Sequence, residues 1–182
     1  MLFRINVKIL ATRLNSKWFN IIIKLVFKWV KGEFFMKRIM INKDLCEGCL
    51  NCVLACMSEH NERGKSIYDL DLEDKFNESR NHIELDMLGN KTPIFCRHCD
   101  NPECVNTCTT GAMSKDEKTG VVSYNKDKCA ACFMCVMNCP YGVLKADEKS
   151  SKVIIKCDLC NEREIPRCVE NCPTGAIYVE EI

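Results

Sequence analysis

No uncharged stretch in these 182 residues approaches the ~20 apolar positions that a membrane-spanning helix needs. No small-residue cleavage site follows an apolar core, and no twin-arginine pair occurs, so the usual export signals are missing. There is no glycine-rich nucleotide loop, no flavin fingerprint and no nucleophile–base pairing, the common marks of a self-contained enzyme. Only three histidines occur, His60, His82 and His98. Nucleic-acid binding has no support, because the body of the chain is acidic and its one basic stripe carries no reader motif.

What the chain has is cysteine. There are sixteen, and none falls outside one of four quartets. The centre is the run from Cys129 to Pro140, Cys-Ala-Ala-Cys-Phe-Met-Cys-Val-Met-Asn-Cys-Pro, spaced C-x2-C-x2-C-x3-C-P. This is the bacterial run for a [4Fe–4S] cluster. Cys129, Cys132 and Cys135 sit on one tight turn and reach three corners of a cubane. Cys139 lies too far along and typically ligates a different cluster. Such a run implies a partner run. Cys46, Cys49, Cys52 and Cys56 repeat the spacing, with Met57 in place of the proline. Cys96, Cys99, Cys104 and Cys108 follow C-x2-C-x4-C-x3-C, with Pro102 stiffening the wider loop. Cys157, Cys160, Cys168 and Cys172 follow C-x2-C-x7-C-x3-C-P.

Disulfide frameworks have irregular spacing, so four regular quartets point to metal instead. Zinc is the competing structural reading, since it takes four ligands and often uses C-x2-C pairs. It gains nothing from a third cysteine in one C-x2-C-x2-C turn, whereas a cubane presents three irons to that loop. A [3Fe–4S] cluster needs a missing ligand, and none is missing. The quartets start at Cys46, Cys96, Cys129 and Cys157. The wide first gap argues against pairing the first two. Spacing alone does not choose between two-with-three and three-with-four.

Charge is spread unevenly. Residues 1–35 hold seven basic side chains and one acid, giving +6, while residues 36–182 hold 19 basic and 24 acidic, giving −5. Arg13, Lys17, Asn20, Lys24, Lys28 and Lys31 line one face of a helical wheel, opposite Trp18, Phe19, Ile22, Leu25, Val26 and Trp29. A basic amphipathic helix of this kind lies on a membrane or docks on a partner. The plainer expectation is a start at Met36, where Met-Lys-Arg-Ile-Met-Ile-Asn-Lys-Asp-Leu-Cys opens a strand-then-cluster unit that needs nothing before it. The expected location is the cytoplasm, with membrane contact, peripheral at the inner face, only if the leader is genuine.

Local pattern places the quartets. Ile39–Ile41 reads as a strand, and Cys52–Glu59 as a helix with Cys56 on its inner face. Gly48 lets the first loop turn closely around inorganic sulfide, with successive amides aimed at the anion. Ile83, Leu85 and Met87 alternate as a strand does, and Leu88-Gly89-Asn90-Lys91 marks a hairpin. Asp69–Arg80 is an acid-rich solvated face. Val121, Val122 and Tyr124 form a strand into the third quartet, and Tyr141–Leu144 and Lys152–Lys156 two more, joined by the Asp147–Ser151 turn. Cys108 is followed by Thr109-Thr110-Gly111-Ala112, without the proline of Pro173-Thr174-Gly175-Ala176, which relaxes the exit without costing the ligand. His98, inside the second loop, is either a donor to sulfide or a packed loop residue. His60 and His82 carry no signal.

Together these motifs resemble the four-cluster ferredoxin-like electron-transfer subunits that accompany carbon monoxide dehydrogenase, hydrogenases, formate dehydrogenases and molybdopterin reductases. The resemblance covers Met36–Ile182 and rests on all sixteen cysteines. Phe95-Cys96-Arg97-His98-Cys99-Asp100, Cys132-Phe133-Met134-Cys135-Val136-Met137 and Arg167-Cys168-Val169-Glu170-Asn171-Cys172 look most like the iron–sulfur protein associated with carbon monoxide dehydrogenase. The resemblance implies nested ligation. Cys46, Cys49 and Cys52 take Cys172, and Cys157, Cys160 and Cys168 take Cys56. Cys96, Cys99 and Cys104 take Cys139, and Cys129, Cys132 and Cys135 take Cys108. The implied fold is α+β and loop-rich: two ferredoxin-like lobes of short strands and helices around four [4Fe–4S] clusters. Residues 36–60 and 145–182 form one lobe, and 91–144 the other.

The implied role is single-electron transfer, without a catalytic residue, between a catalytic oxidoreductase and a second redox partner. Carbon monoxide dehydrogenase is the first expectation for the catalytic partner. A subunit of a hydrogenase or formate dehydrogenase complex is the alternative, and a structural or maturation iron–sulfur protein the alternative of another class. Leu50, Val53, Phe133, Val136, Leu159 and Val169 both shield the clusters and pack. A lobe of fewer than about 80 residues has little apolar core, so the clusters must hold the fold and the apo-protein is expected to be largely unfolded.

Overall fold

A computed structural model describes residues 36–181, apart from 75, 151 and 162. The basic helix expected before Met36 lies outside the described residues. Among those described, eight short strands form four antiparallel pairs. Strand β1 (Lys37–Ile41) pairs along its length with β8 (Ile177–Glu181), Lys37 opposite Glu181 and Ile41 opposite Ile177. Strand β2 (His82–Leu85) pairs with β3 (Lys91–Ile94), and β4 (Met113–Lys115) with β5 (Val122–Tyr124). The shortest pair is β6 (Lys145–Ala146) with β7 (Ile154–Ile155). Four helices complete the frame: α1 (Asn51–Glu59), α2 (Glu103–Asn106), α3 (Met134–Met137) and α4 (Arg167–Glu170).

One local design occurs twice. After β1, the Asn42 side chain accepts from the Asp44 amide at 3.1 Å and starts a single tight turn, Lys43–Leu45, that ends on Cys46. After β5, Asn125 does the same with the Asp127 amide at 2.9 Å, and the turn Lys126–Lys128 ends on Cys129. A short amide side chain bonded two residues ahead is what closes such a turn. The Asn42 amide then donates to the Ala176 carbonyl at 2.7 Å, and the Asn125 amide to Ala112 at 2.8 Å. Each tie brings the start of one quartet beside the exit of another. The other two quartets are delivered by hairpins, β3 running through Phe95 to Cys96 and β7 through Lys156 to Cys157.

Two small apolar cores result. One gathers Met113, Val122, Cys135, Val143, Leu144 and Ile154. The other gathers Ile39, Cys52, Phe95, Cys168 and Ile177. Helix α1 packs on α4, and α2 on α3, so each core lies beside a helix pair that carries cysteines. Phe95, before the second quartet, packs with the chain ends, while Ile154, before the fourth, packs with the middle.

Strand boundaries differ from the sequence expectation, most at three places, while β1 starts two residues early and Val121 stands outside β5. Tyr141–Leu144 is a turn, because Gly142 has φ +60 and donates back to the Cys139 carbonyl at 3.1 Å, so β6 begins only at Lys145. Lys152–Lys156 contributes just two strand residues. Met87 stands outside β2, because the Asp86 carboxylate accepts from the Leu88 and Asn90 amides, both at 2.8 Å, and closes the hairpin there. The exit at Gly111 matches that at Gly175 despite Thr109: their amides return to Cys108 at 3.2 Å and Cys172 at 3.3 Å. No helix among the described residues is long and apolar enough to cross a membrane.

Candidate metal centres

The cysteine loops share a backbone conformation rather than a side chain. Two residues after the first cysteine of each quartet stand Gly48, His98, Ala131 and Leu159, with φ of 67, 44, 53 and 58. A left-handed residue at this place turns successive amides inward, which makes an anion-binding concavity. The amides of Ala131 and Leu159 donate to Cys129 Sγ and Cys157 Sγ, each at 3.4 Å. Sequence reasoning singled out only Gly48, because alanine, leucine and histidine do not announce this conformation.

Three cavities gather cysteines from different quartets. Cys96, Cys99 and Cys104 line one with Cys139. Cys129, Cys132 and Cys135 line another with Cys108. Cys157, Cys160 and Cys168 line the third with Cys56. Around Cys52, the thiols whose charge acts most are Cys49, Cys172 and Cys46. The helices explain the crossing. Helix α1 carries Cys52 and Cys56 toward two different groups, and α4 carries Cys168 and leads to Cys172 in the same two. Likewise α2 carries Cys104 and leads to Cys108, while α3 carries Cys135 and leads to Cys139.

These thiols are in a poor environment for uncompensated charge. Burial pushes Cys52 and Cys104 up to about 11, and holds Cys168 and Cys157 well above the usual thiol value. At Cys108 and Cys172 burial also opposes ionisation, but it is outweighed by amide donors, chiefly Met113 and Ile177, and both thiols end below their usual value. Buried thiolates set side by side need cationic compensation, which bound iron supplies. A single zinc ion with bonds of about 2.3 Å would hold its sulfurs roughly 3.8 Å apart. Among the described residues, three or more ligand atoms lie within 4.8 Å of one another only in the mixed trio His60, Asp158 and Cys160. The quartets are therefore not drawn in as tightly as a one-ion site would be.

The three histidines fare differently. His98 is 2 % exposed, accepts from the Val122 amide on Nδ1 at 2.9 Å and leaves Nε2 buried without a partner. It lines the Cys96 cavity, and burial, with the Lys156 charge acting the same way, pushes it down to about 3. Its ring is neutral and packed inside the loop, and its Nε2–H is left as a spare donor. His60 was missed by sequence reasoning. One helical turn after Cys56, its Nδ1–H donates to the Cys56 carbonyl at 2.8 Å, and Nε2 lies 3.3 Å from Asp158. Arg80 grips the other Asp158 oxygen at 2.5 Å and donates its own amide to Cys56 Sγ at 3.3 Å. Burial opposes a charge on His60, yet Asp158 and Cys56 outweigh it and lift the ring to about 9. The i, i+4 spacing of Cys56 and His60 was the available signal. His82 is half-buried, with Nε2 3.5 Å from the exposed Glu84 carboxylate and Nδ1 buried without a partner.

The groups form a sequence in space. Cys168 feels Cys52, linking the Cys56 and Cys46 groups, and Cys157 feels Cys96, linking the Cys56 and Cys96 groups. The α2–α3 pair joins the Cys96 group to the Cys129 group. Cys49 and Cys132, one in each terminal group, are the two exposed cysteines.

The family described as "4Fe-4S dicluster domain" matches residues 88–182, which hold the last three quartets. The chain is 33 % identical over 165 residues to the hydrogenase-2 operon protein HybA of Escherichia coli O157:H7, covering 76 % of this chain and 50 % of that protein. It is 37 % identical over 134 residues to the polyferredoxin-like subunit of an aliphatic sulfonate oxidoreductase of Pyrococcus furiosus, covering 74 % and 70 %. A formate dehydrogenase iron–sulfur subunit of Haemophilus influenzae is 31 % identical over 156 residues, covering 76 % and 49 %. The chain thus spans about half the length of the first and third of these relatives.

Proposed function

We propose a function from one fixed point: the chain belongs to the 4Fe-4S dicluster domain family and is an iron–sulfur electron-transfer subunit, not the catalytic one. On our reading its sixteen cysteines hold four [4Fe–4S] clusters in two ferredoxin-like lobes, with the nested ligation set out above. Single electrons pass along them between a catalytic oxidoreductase and a second redox partner. What carries the reading is that three cavities are each lined by three cysteines of one quartet and the last cysteine of another.

Bound clusters supply one-electron chemistry with little structural change. The protein's part is to hold thiolates, exclude water and set local charge. Phe133 and Val136 pack beside the Cys129 group, and Val53, Leu159 and Val169 beside the Cys52–Cys168 contact. Amides at Ala131, Leu159, Arg80 and Met113 donate to cysteine sulfur and stabilise its charge. The order of the groups supports a four-member wire with exposed thiols, Cys49 and Cys132, at its ends.

For the catalytic partner we favour an enzyme of the hydrogenase or formate dehydrogenase kind. Two of the three relatives named above bear those titles, and the association with carbon monoxide dehydrogenase suggested by the sequence finds no support among them. The test is anaerobic iron and sulfide analysis, with electron paramagnetic resonance of the dithionite-reduced protein. About sixteen of each, with spin-coupled reduced cubanes, are expected. Zinc, or far less iron after proper reconstitution, would sink the reading. Reoxidation of the reduced protein by a hydrogenase or formate dehydrogenase, and not by carbon monoxide dehydrogenase, is the expected partner result. Clusters that dithionite does not reduce would favour a structural role.

A further inference from the structure

Lys156 is a charged side chain buried in the protein interior. It is 6 % exposed, between β7 and Cys157. Its Nζ donates to two backbone carbonyls, Val122 and, at 2.7 Å, Cys157. Among the described residues no carboxylate forms an ion pair with it. Burying an ammonium against neutral carbonyls alone is costly, and such groups persist where a counter-charge completes the site.

The surroundings say where that charge comes from. Lys156 and His98 line the cavity of Cys96, Cys99, Cys104 and Cys139, and Val122 joins them, its amide donating to His98 and its carbonyl accepting from Lys156. The Lys156 charge acts both on Cys104 of that group and on Cys157 of the neighbouring one. Phe95 occupies the matching place before the other hairpin-delivered quartet and lines the cavity of Cys56, Cys157, Cys160 and Cys168. One junction residue is apolar and the other is cationic, so packing alone does not explain the lysine.

Resting on the four-cluster reading, we propose that Lys156 is the internal counter-ion of two adjacent clusters, those of the Cys96 and Cys157 groups, and raises the reduction potential of both. Adding an electron makes each cluster more negative, and a fixed cation in a water-poor interior stabilises that state. The Val122 and Cys157 carbonyls hold the ammonium between the two groups. His98, bonded to the Val122 amide, is a positioning residue for the same strand.

The experiment uses the full chain, reconstituted anaerobically, as wild type, Lys156→Met and Lys156→Arg. Iron and sulfide are counted, and potentials are read by redox-poised electron paramagnetic resonance. If Lys156→Met loads as wild type does, two of the four midpoint potentials shift negative, and Lys156→Arg restores them. Four unchanged midpoints in fully loaded Lys156→Met overturn the proposal. Equal shifts in both variants also overturn it, because shape and not charge then matters. Failure of Lys156→Met to load, with normal loading of Lys156→Arg, supports a required charge; failure of both overturns it. A wild-type protein with fewer than four clusters sinks the four-cluster reading first, and is seen before any variant is compared.

Discussion

Gly48, His98, Ala131 and Leu159 share a left-handed backbone although only one is a glycine. A residue with a Cβ pays about 1–2 kcal/mol for that conformation, so the loops at His98, Ala131 and Leu159 are held by their surroundings. A Cβ at Gly48 would fall 2.7 Å from Lys91 Cδ, but that is a flexible stem that can swing aside. The backbone cost therefore decides: Gly48→Ala is expected to destabilise by roughly 1 kcal/mol, read as a lower thermal midpoint of the loaded protein. An unchanged midpoint would mean that the loop relaxes freely. At this scale the sequence was partly legible. Cysteine spacing named every thiol that lines a cavity, and Gly48 named its own turn. Lys156 was silent, and His60 offered only its spacing from Cys56, because their importance depends on Val122 and Asp158, which are far from them along the chain.

Single elements are short and depend on what they join. Ile39 is 2 % exposed in β1 and sits opposite Val179 of β8. Truncating it leaves a cavity in the smaller core, so Ile39→Ala is expected to cost about 2–5 kcal/mol, measured by denaturant unfolding of the loaded protein. At the β2–β3 tip, Asp86 also accepts from the Asn90 side chain at 2.7 Å, and these bonds, chiefly to Asn90, hold its carboxyl below the usual range. A depressed carboxyl stabilises the hairpin above its unfolded value, near pH 4, and that support fades as pH falls through the folded value. Asp86→Ala should remove it at neutral pH as well, with faster hydrogen exchange at the Asn90 amide and none of the iron lost. Protection unchanged at Asn90 would show that β2 and β3 pair without the carboxylate. Alternation and turn residues made this hairpin legible. The pattern failed at Tyr141–Leu144, where apolar residues suggested a strand but Gly142 forms a turn.

For the molecule as a whole, two cores of six and five buried residues are too small to carry a fold of this length. Several of their members, Cys52, Cys135 and Cys168, are themselves thiols. Stripping the metal with a chelator under reducing conditions should therefore abolish most secondary structure, seen as loss of far-ultraviolet dichroism together with the visible absorbance. Persistence of the dichroism after the colour is gone would contradict this. The reach of each fourth cysteine across the chain was not legible from spacing. It depends on the α1–α4 and α2–α3 contacts, which no local pattern encodes.

The pairing of β1 with β8 also fixes the order of events during synthesis. Lys37 meets Glu181, so β1 has no partner until nearly the whole described chain has been made. At about 5–20 residues per second that wait is on the order of 10 s. The strands β4 and β5, close together in sequence, have no such delay. The middle of the protein can thus be finished on the ribosome while its first quartet stays open, exposed to oxygen and to the cell's iron supply until the last strand arrives.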